Sequence, residues 1–250
     1  MIQPPQIHFI TVATRPHPIL DVLLKTFQRK GESLEVLGLE LNCEIGQDLP
    51  HVRRLGVKLH LIYEFVHRAH LAADDIVVFC DAYDVVFCGD RATVAERFEA
   101  MGHAVVFGAE LGCYPDGWKA GLYPPAPNAF KFLNSGLFSG RVAALRECMR
   151  DYAYTADCIE HEVNDQQWWT DVFLSGKHDM VLDYEHALFL NCVWIDEGKI
   201  TIDSPESGDV VVRIGSATPQ FLHGNGPGKD TQQFQRVLER FRCADFTYNK

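Results

Sequence analysis

The run at residues 75–80, DIVVFC, constrains the fold more than any other feature, because after Asp75 it is apolar at every position rather than at alternate ones. A strand of that kind has to be covered on both faces. Residues 7–13, IHFITVA, form a second such run, apolar and β-branched, and read as a buried first strand. Between the runs the apolar positions change to helical spacing. Ile19, Leu23, Leu24 and Phe27 line one face of a helix over 18–30, which Gly31 stops. Residues 34–39 read as a strand, 52–73 as helical in their later part, 91–101 as a helix and 104–107 as a strand. This alternation predicts an α/β chain with a parallel sheet and helices on both sides. A length of 250 residues fits one domain, 1–250, more simply than two.

The second half is less regular. Residues 112–128 carry Pro115, Pro124, Pro125 and Pro127 and read as a long surface loop, a feature that is often functional in a compact domain. A short strand is expected at 137–139, a helix from 142 to about 152, and a short amphipathic helix at 165–174 capped near Asn164 or Asp165. Strands at 180–182, 188–194 and 210–214 and a terminal helix at 233–242 complete the order. The chain has no internal repeat and no low-complexity linker.

Composition removes several function classes. A net charge of −11 argues against generic nucleic-acid binding by phosphate neutralisation, although a few basic side chains and a metal suffice for a local phosphate site. No apolar stretch approaches the ~20 residues of a membrane span. Residues 1–6 lack the basic region and apolar run of a secretory signal, which points to a cytoplasmic protein or to a leader removed ahead of this numbering. The eight cysteines include no CxxC pair, against a zinc knuckle, and Cys80 and Cys192 sit in apolar runs as small buried hydrophobes do. Reduced thiols are expected rather than a disulfide framework. A P-loop motif is absent, which sets aside the common nucleotide hydrolases.

Four segments carry chemistry. Asp81 and Asp84, in DAYD, follow directly on a buried strand, and ligands of open α/β sheets bind beyond the carboxyl ends of strands. Two acids crowded there repel each other unless a cation compensates, and oxygen donors suit Mg²⁺ or Mn²⁺. HGNGPGK, from His223, ends an apolar strand with an imidazole, follows it with three glycines that let a backbone approach an anion, and adds the point charge of Lys229. A nitrogen ligand from His223 shifts the preference from Mg²⁺ towards Mn²⁺. FLNSGLF, from Phe132, presents Asn134 in an Asn-Ser-Gly turn. NDQQWW, from Asn164, joins amides and the Asp165 carboxylate to aromatics, as a sugar site does, with Trp168 and Trp169 better read as core. Each segment also has a plainer reading as a solvated, glycine-rich or tight turn, or as a capped helix.

Taken in order, these segments resemble the glycosyltransferase domain of the procollagen lysyl hydroxylases and their free-standing relatives. The matching stretches are Thr11-Val12-Ala13-Thr14, Lys58, FCDAYDVVF from Phe79, GAELGCYP from Gly108, FLNSG from Phe132, Asn164-Asp165-Gln166, LDYEHALFLN from Leu182, and HGNGPGK from His223. The resemblance implies a GT-A fold, a Rossmann-like, mostly parallel central sheet flanked by helices, with Mn²⁺ and a UDP-sugar. It implies that Asp81, Asp84 and His223 ligate the metal, that Tyr83 stacks near the uracil, and that Val12 and Thr14 line the nucleotide pocket. Asn225, Gly226 and Lys229 would contact the diphosphate, joined by Lys58. Asn134 and Asp165 would face the transferred sugar as the catalytic pair, and Tyr114 lies where the family has a gating aromatic.

The chain departs from the family in three places. Pro50-His51-Val52-Arg53-Arg54-Leu55-Gly56-Val57 replaces a glycine-rich loop ahead of Lys58. A run of aspartates shrinks to Glu162-Val163-Asn164-Asp165, so that Asn164 replaces a sugar-facing acid. A nucleotide-contacting tryptophan has no counterpart near Cys43. The implied activity is transfer of a hexose, glucose first, from a UDP-sugar to a hydroxylated protein or glycan, such as galactosyl-hydroxylysine of a collagen-like protein. The alternatives are galactosyl transfer, a non-collagen glycan acceptor, or an inert sugar-binding domain. On this reading the one domain is expected to take up the 250 residues, with none over for a hydroxylase. Retention at the anomeric carbon needs no strong base, whereas inversion does, and Asp165 is then the candidate.

Overall fold

The computed structural model describes residues 5–42, 56–152, 164–196, 198–203 and 210–243, and leaves undescribed the side chains of Lys229, Gln233, Arg242 and Cys243. The expected strand–helix alternation is present in the first half. Strand β1 (Ile7–Val12) leads to α1 (Pro18–Arg29), β2 (Glu35–Leu37), α2 (Gly56–Val66) and β3 (Ile76–Asp81). A short β4 (Val85–Phe87), α3 (Arg91–Met101) and β5 (Val105–Glu110) follow. The second half contributes β6 (Phe132–Arg141), α4 (Val142–Cys148), α5 (Asp165–Leu174), β7 (Met180–Asp183) and β8 (Phe189–Asn191). It ends with β9 (Ile200–Asp203), β10 (Val211–Ile214), β11 (Phe221–His223) and α6 (Gln232–Cys243). Among the described residues no helix is long and apolar enough to cross a membrane.

The central sheet has six strands in the order β2-β1-β3-β6-β5-β7. All pairings are parallel except those of β6, which runs antiparallel to both β3 and β5. The sheet is therefore mixed and mostly parallel. The two-residue period of the strands sorts their side chains. Ile10, Val12, Val77, Phe79, Val105 and Phe107 pack on one face against α2, α4 and α5. Phe9, Ile76, Val78, Cys80 and Val106 pack on the other with Leu23 and Phe27 of α1 and Val94 and Phe98 of α3. That second face also meets a small three-stranded sheet, ordered β4-β11-β8, whose far side is covered by Phe234, Val237, Leu238 and Phe241 of α6. Both faces of the runs at 7–13 and 75–80 are thus covered, as their composition requires.

One expectation is corrected. Asn134-Ser135-Gly136 is no turn between apolar segments but the interior of the ten-residue strand β6. Opposite β5, Phe107 pairs with Phe138 and Gly108 with Asn134, so Ser135, Gly136 and Leu137 bulge out against a single step of the neighbour. Bulges of this kind re-aim side chains beside functional sites. The cysteines Cys80, Cys88, Cys113, Cys148 and Cys192 are free thiols; Cys43 and Cys158 lie outside the described residues. Trp169 is buried in the core and Trp168 packs edge-on against Tyr152, which fits their reading as core side chains.

Candidate functional site

The carboxyl ends of β3 and β5 and the amino-terminal half of β6, which runs antiparallel to both, open into a cavity of about 500 Å³. Asp81 is the last residue of β3, Asp84 lies in the turn that follows, and His223 is the last residue of β11. The backbone holds these parts together: Gly224 donates its N–H to the Asp84 carbonyl at 2.8 Å, and His223 pairs in register with Val85 on one side and Asn191 on the other. The imidazole Nε2 is 3.2 Å from Asp84 Oδ1 and 3.8 Å from Asp81 Oδ2. One ligand atom from each residue lies within 4.8 Å of the others.

Neighbouring groups fix the orientation of this trio. Asn191 donates its amide to the Ala109 carbonyl at 3.0 Å, so its Oδ1 faces His223 Nδ1 at 2.8 Å and must accept. Nδ1 therefore carries a proton and Nε2 is the nitrogen turned to the carboxylates, the one that could ligate a metal once its own proton is displaced. A Cβ placed on Gly136 would stand 2.3 Å from His223 Cε1 and 2.7 Å from Asp81 Oδ2, so only glycine lets the strand pass this close. Burial disfavours a charged imidazole at His223, but Asp84 and Asp81 outweigh it and hold its pKa above the ordinary value. A cavity with two carboxylates and one oriented imidazole has the donor set of a divalent-cation site.

Asp165 opens α5, but it does not cap it. The cap is Asn164, whose Oδ1 accepts from the N–H groups of Gln166 at 3.0 Å and Gln167 at 3.2 Å. The Asp165 carboxylate instead accepts from Ser135 Oγ at 2.8 Å and lies 2.8 Å from Lys58 Nζ. Lys58, on α2, also reaches Asp81 at 3.1 Å and so bridges the metal trio to Asp165. Burial alone would lower its pKa, but Asp165 and Asp81 together raise it well above the ordinary lysine value.

Glu110, at the end of β5, lines the cavity and is a candidate that sequence reasoning missed. Its Oε1 accepts from Gln166 Nε2 at 2.7 Å and Asn134 Nδ2 at 3.2 Å, and its Oε2 from Asn225 Nδ2 at 2.7 Å. Burial pushes its carboxyl up to about 7 against the pull of these amides and of His223. Asn191, Ser135 and Gln166 were missed as well. Glu110 and Asn191 carry the signal that singled out Asp81 and His223, a polar residue ending an apolar run.

Of the sequence-derived site residues, Lys58, Asp81, Asp84, Asn134, Asp165, His223, Asn225 and Gly226 all line the cavity, and so does Tyr114. Val12, Thr14 and Tyr83 do not. Val12 is buried in the core, and the Tyr83 hydroxyl accepts from the N–H groups of Thr14 and Arg15 at 3.0 and 3.2 Å, latching the end of β1 beside the site. The Lys229 side chain lies outside the described residues, as do residues 50–55 and Glu162 and Val163.

Comparison with known proteins places this geometry in a family. The model of the family described as the PLOD GT domain matches residues 3–239. A multifunctional procollagen lysine hydroxylase and glycosyltransferase of Caenorhabditis elegans is 30% identical over 233 residues, covering 90% of this chain and 31% of that protein. The human protein of the same description, LH3, is 27% identical over 237 residues, covering 91% and 31%. The chain thus spans about a third of the length of the curated relatives it matches. Among solved structures, the galactosyltransferase LgtC with donor and acceptor sugar analogues superposes with a TM-score of 0.53 at 13% identity, covering 98% of this chain and 96% of that one. An active-site mutant of LgtC gives 0.55 at 12% identity over the same shares. The chain has the GT-A fold and belongs to the PLOD GT domain family, a family of glycosyltransferase domains.

Proposed function

We propose that the chain transfers a hexose from a UDP-sugar to a hydroxyl group, with Mn²⁺ held by Asp81, Asp84 and His223. The sugar we assign is glucose, and the acceptor a galactosyl-hydroxylysine of a collagen-like protein. The observation that carries the reading is the oriented Asp–Asp–His trio opening onto the same cavity as Asp165 and Asn134. The names of the relatives, procollagen lysine hydroxylase and glycosyltransferase, support the choice of acceptor.

The chain's own groups divide the work. Thr14, just beyond β1, and Tyr83, just beyond β3, are assigned to the nucleotide side, and Lys58 supplies a positive charge between nucleotide and sugar. Asp81, Asp84 and His223 would hold the cation, which would supply Lewis-acid neutralisation of charge on the departing diphosphate. Asp165, tied to Lys58 and Ser135, is held as a fixed negative group, suited to orient sugar hydroxyls or to meet positive charge at the anomeric carbon. Glu110 fixes the amides of Asn134, Gln166 and Asn225 around the sugar.

A panel of UDP-sugars with Mn²⁺, with and without a deglucosylated collagen peptide, read by mass spectrometry, tests the proposal. A glucosylated peptide is expected, with slow UDP release in the absence of peptide. Mn²⁺ should support turnover better than Mg²⁺, and full activity in excess chelator would refute the metal assignment. Asp84→Ala is expected to lose metal-dependent UDP binding by calorimetry while the chain still folds, because Asp81 remains to face His223 and Lys58. If no nucleotide sugar is turned over yet sugars still bind, the chain is an inert sugar-binding domain.

A further inference from the structure

Trp194 is 69% exposed, in a turn just beyond β8, and it lines the cavity. Its backbone has a φ of +60°, a conformation uncommon for a residue with a side chain and one that collects at ligand sites. The indole is not a loose surface group. A Cβ on Gly112 would stand 2.2 Å from its Cζ3 and 2.8 Å from its Cη2, so the ring lies directly on the glycine backbone. The turn beneath is pinned as well: Ile195 donates to the Cys192 carbonyl at 3.2 Å, and Val193 donates to Asn225 Oδ1 at 3.0 Å. Asn225 is in turn fixed to Glu110. Tyr114, two residues beyond Gly112 and 48% exposed, lines the same cavity, and so does Asn164, whose Oδ1 is committed to the α5 cap. A rigid exposed aromatic face beside polar amides matches a pyranose ring, which presents a face of C–H groups and an edge of hydroxyls.

The sheet order fixes which side of the site this is. Gly112 extends β5, whereas the Thr14–Tyr83 contact sits at the end of β1, and β3 and β6 lie between. Three strand spacings separate them, roughly 14 Å. The metal trio, built on β3 and facing the β6 bulge, stands in the middle. On the transferase reading, Trp194 is therefore on the side away from the residues assigned to the nucleotide, the side left for an acceptor.

We infer that Trp194, seated on Gly112 and flanked by Tyr114, is a stacking platform for a pyranose ring of the acceptor. The word acceptor rests on the transferase reading above; the platform itself can be read without turnover. Methyl β-galactopyranoside, and sorbitol as an acyclic polyol, are titrated by calorimetry into the full chain in the presence of UDP and Mn²⁺. The glycoside binds and sorbitol does not. Trp194→Ala weakens glycoside binding on the order of tenfold, and Trp194→Tyr, which keeps an aromatic face, recovers most of it. In turnover, Trp194→Ala raises the acceptor KM while the donor KM stays near its original value. Equal glycoside affinity in the native chain and Trp194→Ala, or no glycoside binding by the folded native chain, overturns the inference. Glycoside binding that needs Trp194, in a chain that transfers no sugar, upholds the platform and rejects the transferase reading.

Discussion

Glu110 is surrounded by three amide nitrogens, all donors, so its setting is matched to a carboxylate, while burial pushes the other way and carries the carboxyl to about 7 from an ordinary 4.5. A folded-state value above the unfolded one means that the folded chain binds the extra proton. Stability from this group is complete below about pH 4.5 and is lost as pH rises to about 7, by about 3 kcal/mol. Measured in chelator, the melting temperature of the native chain should fall more steeply from about pH 5 to about pH 7.5 than that of Glu110→Gln. Parallel profiles would remove Glu110 as the titrating group. Gly136 makes a second residue-scale prediction. Gly136→Ala keeps Asp81, Asp84 and His223 but drives a methyl into His223 and Asp81, at a cost of about 1–3 kcal/mol of overpacking. Metal-dependent UDP affinity, read by calorimetry, should fall as far as it does in Asp84→Ala; normal affinity would show that the trio does not hold the ion. Asp81, Asp84 and His223 were legible in the sequence because a charged or ligating side chain ends an apolar run. Trp194 was not, because neither its φ nor its neighbour Gly112, 82 positions away in the chain, leaves a local signature.

At the scale of elements, α5 separates two roles that the sequence left joined. Asn164 satisfies the free N–H groups at the helix start, whereas Asp165 turns to Ser135 and Lys58. Asn164→Ala should cost on the order of 1 kcal/mol, seen as a lower melting temperature. Asp165→Ala should cut transfer by about 10²-fold while UDP affinity is largely kept, since a group acting on charge at the anomeric carbon works mainly in the transition state. Near-normal turnover in that variant would exclude Asp165 from the chemistry. The strands β1, β3 and β5 and the helices α1, α3 and α5 were legible from period and propensity. Within β6, residues 137–139 were expected as a strand, but Asn134-Ser135-Gly136 was mistaken for a turn because it has turn composition, and only pairing with the neighbouring strands keeps it in the sheet. Strand β4 went unseen because three residues are too few to establish a period.

At the scale of the whole molecule, the trio draws on two sheets: Asp81 belongs to the six-stranded sheet, while His223 belongs to the small one that α6 covers from behind. The mostly parallel sheet was readable from alternation, but this second layer was not, since its strands come from 85–87, 189–191 and 221–223 and meet only in three dimensions. A cation that joins the two sheets enters the folding equilibrium, adding about 2.7 kcal/mol at a hundredfold excess over its Kd. Saturating Mn²⁺ should therefore slow amide exchange in β8, β11 and α6 and leave the outer strands β2 and β7 nearly unchanged, as mass spectrometry can resolve. Uniform protection would mean that the ion stabilises the chain as one unit. The same joint ties two layers through one point: were an ion bound by the trio and then withdrawn, the C-terminal layer of β8, β11 and α6 would be left against the main sheet by packing and backbone pairing alone.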